Sequence, residues 1–259
     1  METRILTDQK NRVFPSVHEG DLILVNPDHP YQNQPKLLCE VRSAQKTVLL
    51  EDRAARALME LFDRLQIVDE IICFDGYRTH QEQFELYQNS LTENGQEYTE
   101  KFVAKPGCSE HESGLAIDLA LNQETIDPIC PSFPHQGICE LVRQQAASAG
   151  FIERYKESKK DITKISGEEW HFRYVGIPHA LIMMKTGFCL EEYIEWIQNY
   201  SLVDNPLCYE GWTIGYVQQG TPLPQLDHNL ECFISGDNVK GWIVTCAGNV
   251  KFDCEGKEV

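Results

Sequence analysis

Leu115, Ile117, Leu119 and Leu121 alternate with Ala116, Asp118 and Ala120. A period of two is that of a strand with one apolar face. It puts Asp118 on the opposite face, between two alanines that leave room around the carboxylate. Leu22-Ile23-Leu24-Val25 is a short apolar run stopped by Asn26-Pro27 and predicts a buried strand. Ala54, Leu58, Leu61 and Leu65 recur at helical spacing and predict an amphipathic helix from Glu51 onward. Ile71 to Phe74 predicts a second strand, ended by Asp75-Gly76. Thr79 and Glu82 form a capping-box pattern, so a helix begins at about His80, with Phe84, Tyr87 and Leu91 on its apolar side. The polar stretch 92–107 predicts a long loop. Ile138, Leu141, Val142, Ala146 and Ala149 suit a helix that Gly150 terminates, and residues 156–167 form a charged loop. Trp170, Phe172 and Tyr174 alternate with His171 and Arg173, again a strand. Pro178 opens one further helix, and Leu190, Tyr193, Ile194 and Ile197 make another.

After Asn205-Pro206 the pattern changes to β-branched and aromatic runs, Trp212 to Gln218 and Glu231 to Thr245, with glycine-containing turns between them. Residues 206–259 therefore read as a small β-rich appendage to a unit spanning 1–205. The polar residues 1–20 are expected to be only partly ordered. With 42% hydrophobic residues among 259, the chain has enough apolar material for a sizeable core. A formal net charge of −17 disfavours nucleic acid and anionic membrane surfaces as partners. No stretch reads as a secretory signal or a membrane span, so a cytoplasmic location is expected. Ten cysteines show no Cys-x-x-Cys spacing, and free, mostly buried thiols are the expectation.

The candidate chemistry centres on Ser109-Glu110-His111-Glu112-Ser113-Gly114, which runs into the strand of Asp118. Gly114 allows a sharp bend, so that His111 can fold back beside Asp118. An imidazole next to a carboxylate suits zinc, which takes nitrogen and oxygen ligands at about 2.0–2.2 Å. Two ligands do not make a site, and His171 is the best third. Three protein ligands leave a position for water, the layout of a catalytic site. A peptidase of this kind also needs a base. Strict alternation puts Glu169 on the face of His171 and leaves Glu168 in the preceding turn. Arg78, just after the strand end at Asp75, is a candidate cation for the charge that builds on the attacked oxygen.

Ser109-x-His111 with Gly114-x-Ala116-x-Asp118, then Glu168-x-Trp170-His171, and Gly76-Tyr77-Arg78 resemble the VanX/VanY family of zinc D-alanyl-D-alanine peptidases. The likeness covers roughly residues 20–185 and is nearest to the VanXY type, which combines D,D-dipeptidase and D,D-carboxypeptidase activity and confers vancomycin resistance. It implies His111, Asp118 and His171 as zinc ligands, Glu168 rather than Glu169 as base, Arg78 as the transition-state arginine, and Ser109 as the anchor of the substrate carboxylate. It also implies an α+β fold, a small antiparallel sheet carrying the ligands with helices on one side. The implied substrates are D-Ala-D-Ala and cytoplasmic peptidoglycan precursors ending in it. An L,D-endopeptidase of the same fold and a non-catalytic zinc-binding module are the alternatives. The 92–107 segment, with Gln96 and Tyr98, is where preferences for substrate length would be set. Cys108 takes no role. Ser109 reads equally well as a local backbone cap, and Asp75 as orienting a neighbour or as doing nothing. Glu110 and Glu112 read as exposed loop charges. The other histidines, His179 among them, read as structural or solvated.

Overall fold

The computed structural model describes residues 14–44, 46–224, 226 and 231–248, and the backbone of 257 and 258. Residues 1–13, which carry most of the segment expected to be partly ordered, lie outside the described residues. The chain opens with a hairpin of β1 (Leu38–Ser43) and β2 (Lys46–Glu51), paired at Val41 and Val48. Helix α1 (Asp52–Leu65) follows at once, capped by the Glu51 side chain, with Ala54, Ala55, Leu58, Leu61 and Phe62 buried. Next come β3 (Ile71–Asp75) and α2 (His80–Asn94). Thr79 and Glu82 form the reciprocal cap of α2: the Thr79 amide donates to Glu82 Oε2 (2.8 Å) and the Glu82 amide to Thr79 Oγ1 (3.2 Å). Helix α3 (Gln96–Phe102) precedes β4 (Ala116–Leu121). Then follow α4 (Gly137–Ala146), β5 (Phe151–Tyr155), the single turn α5 (Lys160–Thr163) and β6 (Glu168–Tyr174). Helices α6 (His179–Thr186) and α7 (Leu190–Ile197) lead into the C-terminal strands β7 (Leu207–Tyr209), β8 (Trp212–Gln218), β9 (Cys232–Gly236), β10 (Gly241–Ala247) and β11 (Lys257–Glu258).

The sheet that matters for chemistry has the order β3-β4-β6-β5 and is antiparallel throughout. One face holds Ile117, Leu119 and Phe172, which pack with Leu58 and Leu61 of α1 and Val142 of α4 in the main core. The alternate residues Asp118 and His171 therefore face the other way. A second sheet, β11-β7-β8-β10-β9, is the expected β-rich C-terminal part. Its Leu207, Ile214 and Ile243 share one buried cluster with Leu22, Ile152, Ile182 and Leu190, so it packs on α6 and α7. His179 of α6 pins the two together, its Nδ1 2.6 Å from Tyr193 Oη and its Nε2 2.9 Å from Thr245 Oγ1 of β10.

Several expectations are corrected. Leu22 to Val25 is buried but is not a strand, because its backbone is held by side chains and a turn rather than a ladder. The Leu22 amide donates to Ser235 Oγ, and the Leu24 amide to the Asp237 carbonyl. The stretch 92–107 is mostly helix: α2 continues to Asn94, breaks at Gly95 (φ 82°), and α3 packs back through the Ser90–Thr99 hydroxyl pair. The buried side of α2 is formed by Gln83 and Ser90, while Phe84 is 46% exposed. Hairpin β1–β2 and strand β5 are elements that the sequence patterns did not mark. Cys232 and Cys246, cross-strand partners in β9 and β10, form a disulfide, whereas the other seven described cysteines are free.

Burial lowers the His179 imidazole from 6.5 to about 3. The unfolded chain therefore takes up this proton before the folded one does as the pH falls below about 6.5. Stability is present above that value and declines below it, by up to about 1.4 kcal/mol per pH unit from this group. Urea unfolding between pH 7 and pH 4 should fall less steeply for His179→Gln than for the unmodified protein; parallel declines would show that this imidazole is not the cause.

Candidate metal centre and catalytic cleft

Asp118 and His171 are direct cross-strand partners in the β4–β6 register. Partners in a ladder point to the same face, and Asp118 Oδ1 lies 2.8 Å from His171 Nδ1. The third member arrives by a turn. A 3-10 helix, Glu110–Ser113, ends at Gly114 in the left-handed region (φ 72°), which sends the chain into β4 and leaves His111 alongside it. His111 Nε2 is 3.3 Å from Asp118 Oδ2. Its other nitrogen, Nδ1, donates to the Gly76 carbonyl at 2.6 Å, so Nε2 carries the free lone pair. One donor atom from each of His111, Asp118 and His171 lies within 4.8 Å of the others, and all three residues are buried. Two imidazole nitrogens and one carboxylate oxygen, gathered at one cleft, fit a divalent metal ion with a position left open.

The charges around these donors are unbalanced in a way that calls for such an ion. Burial opposes ionisation of Asp118, but His111 and His171 outweigh it and hold the carboxyl well below the usual range. Burial also disfavours a charged His171, yet the hydrogen bond to Asp118 and the nearby Glu110 carboxylate raise it to about 9. Glu168 goes the other way: burial pushes it up to about 8 against the pull of His171. A divalent cation held there would add positive charge and favour the deprotonated forms of His171 and Glu168.

Glu168 is 6% exposed, with Oε2 3.9 Å from His171 Nδ1, whereas Glu169 is exposed and pairs with His135. The alternation argument for Glu169 fails because of a bulge. Between the pairs Glu153–Phe172 and Tyr155–Glu168, β6 spends four residues where β5 spends two. The irregularity rephases the strand and turns Glu168 inward.

Arg78 is anchored before it reaches the cleft. Its Nε donates to Asp75 Oδ2 (2.9 Å), one terminal nitrogen donates to Gln83 Oε1 (2.6 Å), and the other is 3.6 Å from Asp118 Oδ2. Gln83 is itself fixed, donating to the Ala104 carbonyl at 2.7 Å. Among the described residues lining the cleft, Arg78 is the one arginine or lysine. Ser109 is 3% exposed, lines the same cleft and makes no side-chain cap bond to the helix it precedes. The structure thus brings together all six singled-out residues: His111, Asp118, His171, Glu168, Arg78 and Ser109. Asp75 does orient a neighbour. Glu110 and Glu112 are not exposed loop charges but are 1% and 6% exposed. Glu112 accepts from the Gly107 amide at 2.6 Å and lies 2.9 Å from His80 Nδ1, tying down the turn ahead of the ligands. Gln83 and Tyr155 were also missed; the Tyr155 ring lies 4.9 Å from that of His171. No sequence signal marked Gln83, which sits beside the Phe84 that helical periodicity favoured.

If these donors form the centre, the protein binds one zinc ion per chain. Either His111→Ala or Asp118→Ala should reduce binding to background in competition with a chelator, at a melting temperature near that of the unmodified protein. Stoichiometric binding by both variants would place the ion elsewhere.

A family model described as VanY, D-alanyl-D-alanine carboxypeptidase, matches residues 47–177. The chain is 43% identical over 179 residues to the bifunctional D-Ala-D-Ala dipeptidase and D-Ala-D-Ala carboxypeptidase VanXYC of Enterococcus gallinarum, covering 68% of this chain and 94% of that protein. The solved structure of the vancomycin resistance D,D-dipeptidase VanXYg with a D-Ala-D-Ala phosphinate analog superposes with a TM-score of 0.84 at 38% identity, covering 89% of this chain and 95% of that one. The D,D-pentapeptidase VanY from a VanB-type resistance cassette, solved as a point mutant in complex with Zn(II), gives a TM-score of 0.54 at 32% identity, over 67% of this chain and 98% of that one.

Proposed function

Since the chain belongs to the VanY family of D-alanyl-D-alanine carboxypeptidases, we propose that it hydrolyses the peptide bond between two terminal D-alanines. Its substrates are the free dipeptide and peptidoglycan precursors that end in the same unit. Loss of those termini withdraws the target of vancomycin, and the activity is one of vancomycin resistance. The observation that carries this reading is the meeting of Asp118, His171 and His111 in one buried cleft with Glu168 and Arg78.

In this reading the metal is zinc, held by His111 Nε2, the Asp118 carboxylate and His171 Nδ1. When bound there, zinc supplies Lewis acidity to the scissile carbonyl and to the attacking water. The remaining work falls to the chain's own side chains. Ser109 holds the substrate's terminal carboxylate, its hydroxyl donating a hydrogen bond within the cleft. Glu168 takes the proton of the attacking water at its carboxylate and passes it to the leaving amine. Glu168 is enclosed for this role, 6% exposed and 3.9 Å from His171 Nδ1. Arg78, held rigid by Asp75 and Gln83, presents a fixed cation to the oxygen on which charge builds. The compartment we propose is the cytoplasm; seven of the nine described cysteines are thiols and one pair is disulfide-bonded. Among the described residues, no helix is long and apolar enough to cross a membrane. The domain assignment we propose is a catalytic unit over 1–205 and a β-rich appendage over 206–259.

The test is release of D-alanine from D-Ala-D-Ala and from a pentapeptide ending in it. Activity should disappear with a chelator and return with zinc. Glu168→Ala should lower kcat by about 10²- to 10⁴-fold, and Arg78→Ala by about 10²- to 10³-fold. Solubilisation of purified cell walls without release of D-alanine would reject the proposal in favour of an endopeptidase.

A further inference from the structure

Glu110 has no part in the chemistry above, yet it is more enclosed than any of the three ligands, at 1% exposure. Its Oε1 accepts from Arg154 Nε at 2.8 Å and from Arg173 at 2.9 Å. Both arginine side chains are fully buried. Arg154 is gripped from behind by both carboxylate oxygens of Glu191, at 2.6 and 2.9 Å. Arg173 also donates to the carbonyls of Asp21 and Ile23, each at 2.9 Å. Two arginines and two glutamates balance in charge, so the cluster is neutral, with Glu191 partly exposed and Glu110 fully buried.

The second oxygen of Glu110 is what this clamp aims. Oε2 is buried without a hydrogen bond, and so is His171 Nε2, 3.5 Å away. A buried polar atom left unpaired costs about 1–3 kcal/mol. A proton on His171 Nε2 directed at Oε2 satisfies both atoms at once. The opposite ring nitrogen, Nδ1, looks toward Asp118 Oδ1 and Glu168 Oε2, at 2.8 and 3.9 Å.

We propose that Glu110 is a positioning residue that fixes His171 in the Nε2–H form, so that Nδ1 is the atom presented to the metal. This rests on the ligand set proposed above. The two histidines then differ in kind. His111 binds through Nε2 and is backed by a neutral backbone carbonyl, whereas His171 binds through Nδ1 and is backed by a carboxylate anchored on two arginines. Carboxylate backing orients the ring and makes it the more basic ligand.

The experiment is heteronuclear NMR on the full chain with ¹⁵N-labelled histidine, loaded with ¹¹³Cd in place of zinc. Coupling of the ion to Nδ1 of His171 and to Nε2 of His111 is the expected result. Coupling through Nε2 of His171 would overturn the role of Glu110 while leaving the ligand set intact. No coupling to His171 at all would remove that ligand, and the proposal with it. Glu110→Gln gives a second measure. Its zinc affinity should be weaker by about 10- to 100-fold in competition with a chelator, and unchanged affinity in a folded variant would contradict the proposal. If that variant does not fold, the cadmium spectrum of the unmodified protein decides alone.

Discussion

The pairing of Asp118 with His171 across β4 and β6 is the constraint on which the rest of the chemistry hangs. A carboxylate and an imidazole more than fifty residues apart in sequence are brought to 2.8 Å by backbone register alone. A slip of one residue in either strand would carry one of them to the core face. The slip is opposed from below, where Ile117, Leu119 and Phe172 are buried in the main core. It is opposed from the side by β3, whose Asp75 pairs with Asp118 on the other edge. Asp75, Asp118 and His171 thus form one row across three strands, and Arg78 bridges the first two. Apolar packing on one face sets the spacing of charge on the other.

Electrostatics is arranged around this row in two layers. The inner layer is short of positive charge: in a chain with net charge −17, the cleft sets Asp118 and Glu168 against Arg78. A divalent cation is the natural complement. The outer layer is neutral and rigid. Arg154, Arg173 and Glu110 are fully buried and interlock with the partly exposed Glu191, and breaking one member of such a cluster strands a buried charge. The cluster ties β5, β6 and α7 to the turn that carries His111. The C-terminal sheet packs against α6 and α7 from the far side, so the same core that seats it also supports the outer layer.

Much of the site was readable in sequence because its signals are local. Period-two alternation around Asp118, a glycine at the bend after His111, and Trp170-His171 in an alternating strand each define a side chain's direction within a few residues. The capping box of α2 and the helical spacing of α1 are likewise short-range. What escaped depends on distant partners. Glu110 looks like a loop charge until Arg154 and Arg173, forty-four and sixty-three residues on, are seen to enclose it. Glu168 escaped strict alternation because the bulge in β6 is set by its pairing with β5, a strand that the patterns did not mark. Leu22 to Val25 has the composition of a strand, but its amides bond Ser235 of β9 and Asp237 just after it, more than two hundred residues away, and the Ile23 carbonyl accepts from Arg173. The Cys232–Cys246 bond follows from the β9–β10 register and from no spacing motif.

In the proposed centre, strand register and a single turn assemble two imidazoles and one carboxylate on a shared ion, with a position left open. X-ray absorption at the zinc edge of the loaded protein reads that shell without reference to activity. Nitrogen and oxygen scatterers only, at about 2.0–2.2 Å, with outer-shell features of two imidazoles, are the expected result. A sulfur shell at about 2.3 Å, or a third imidazole, would contradict it.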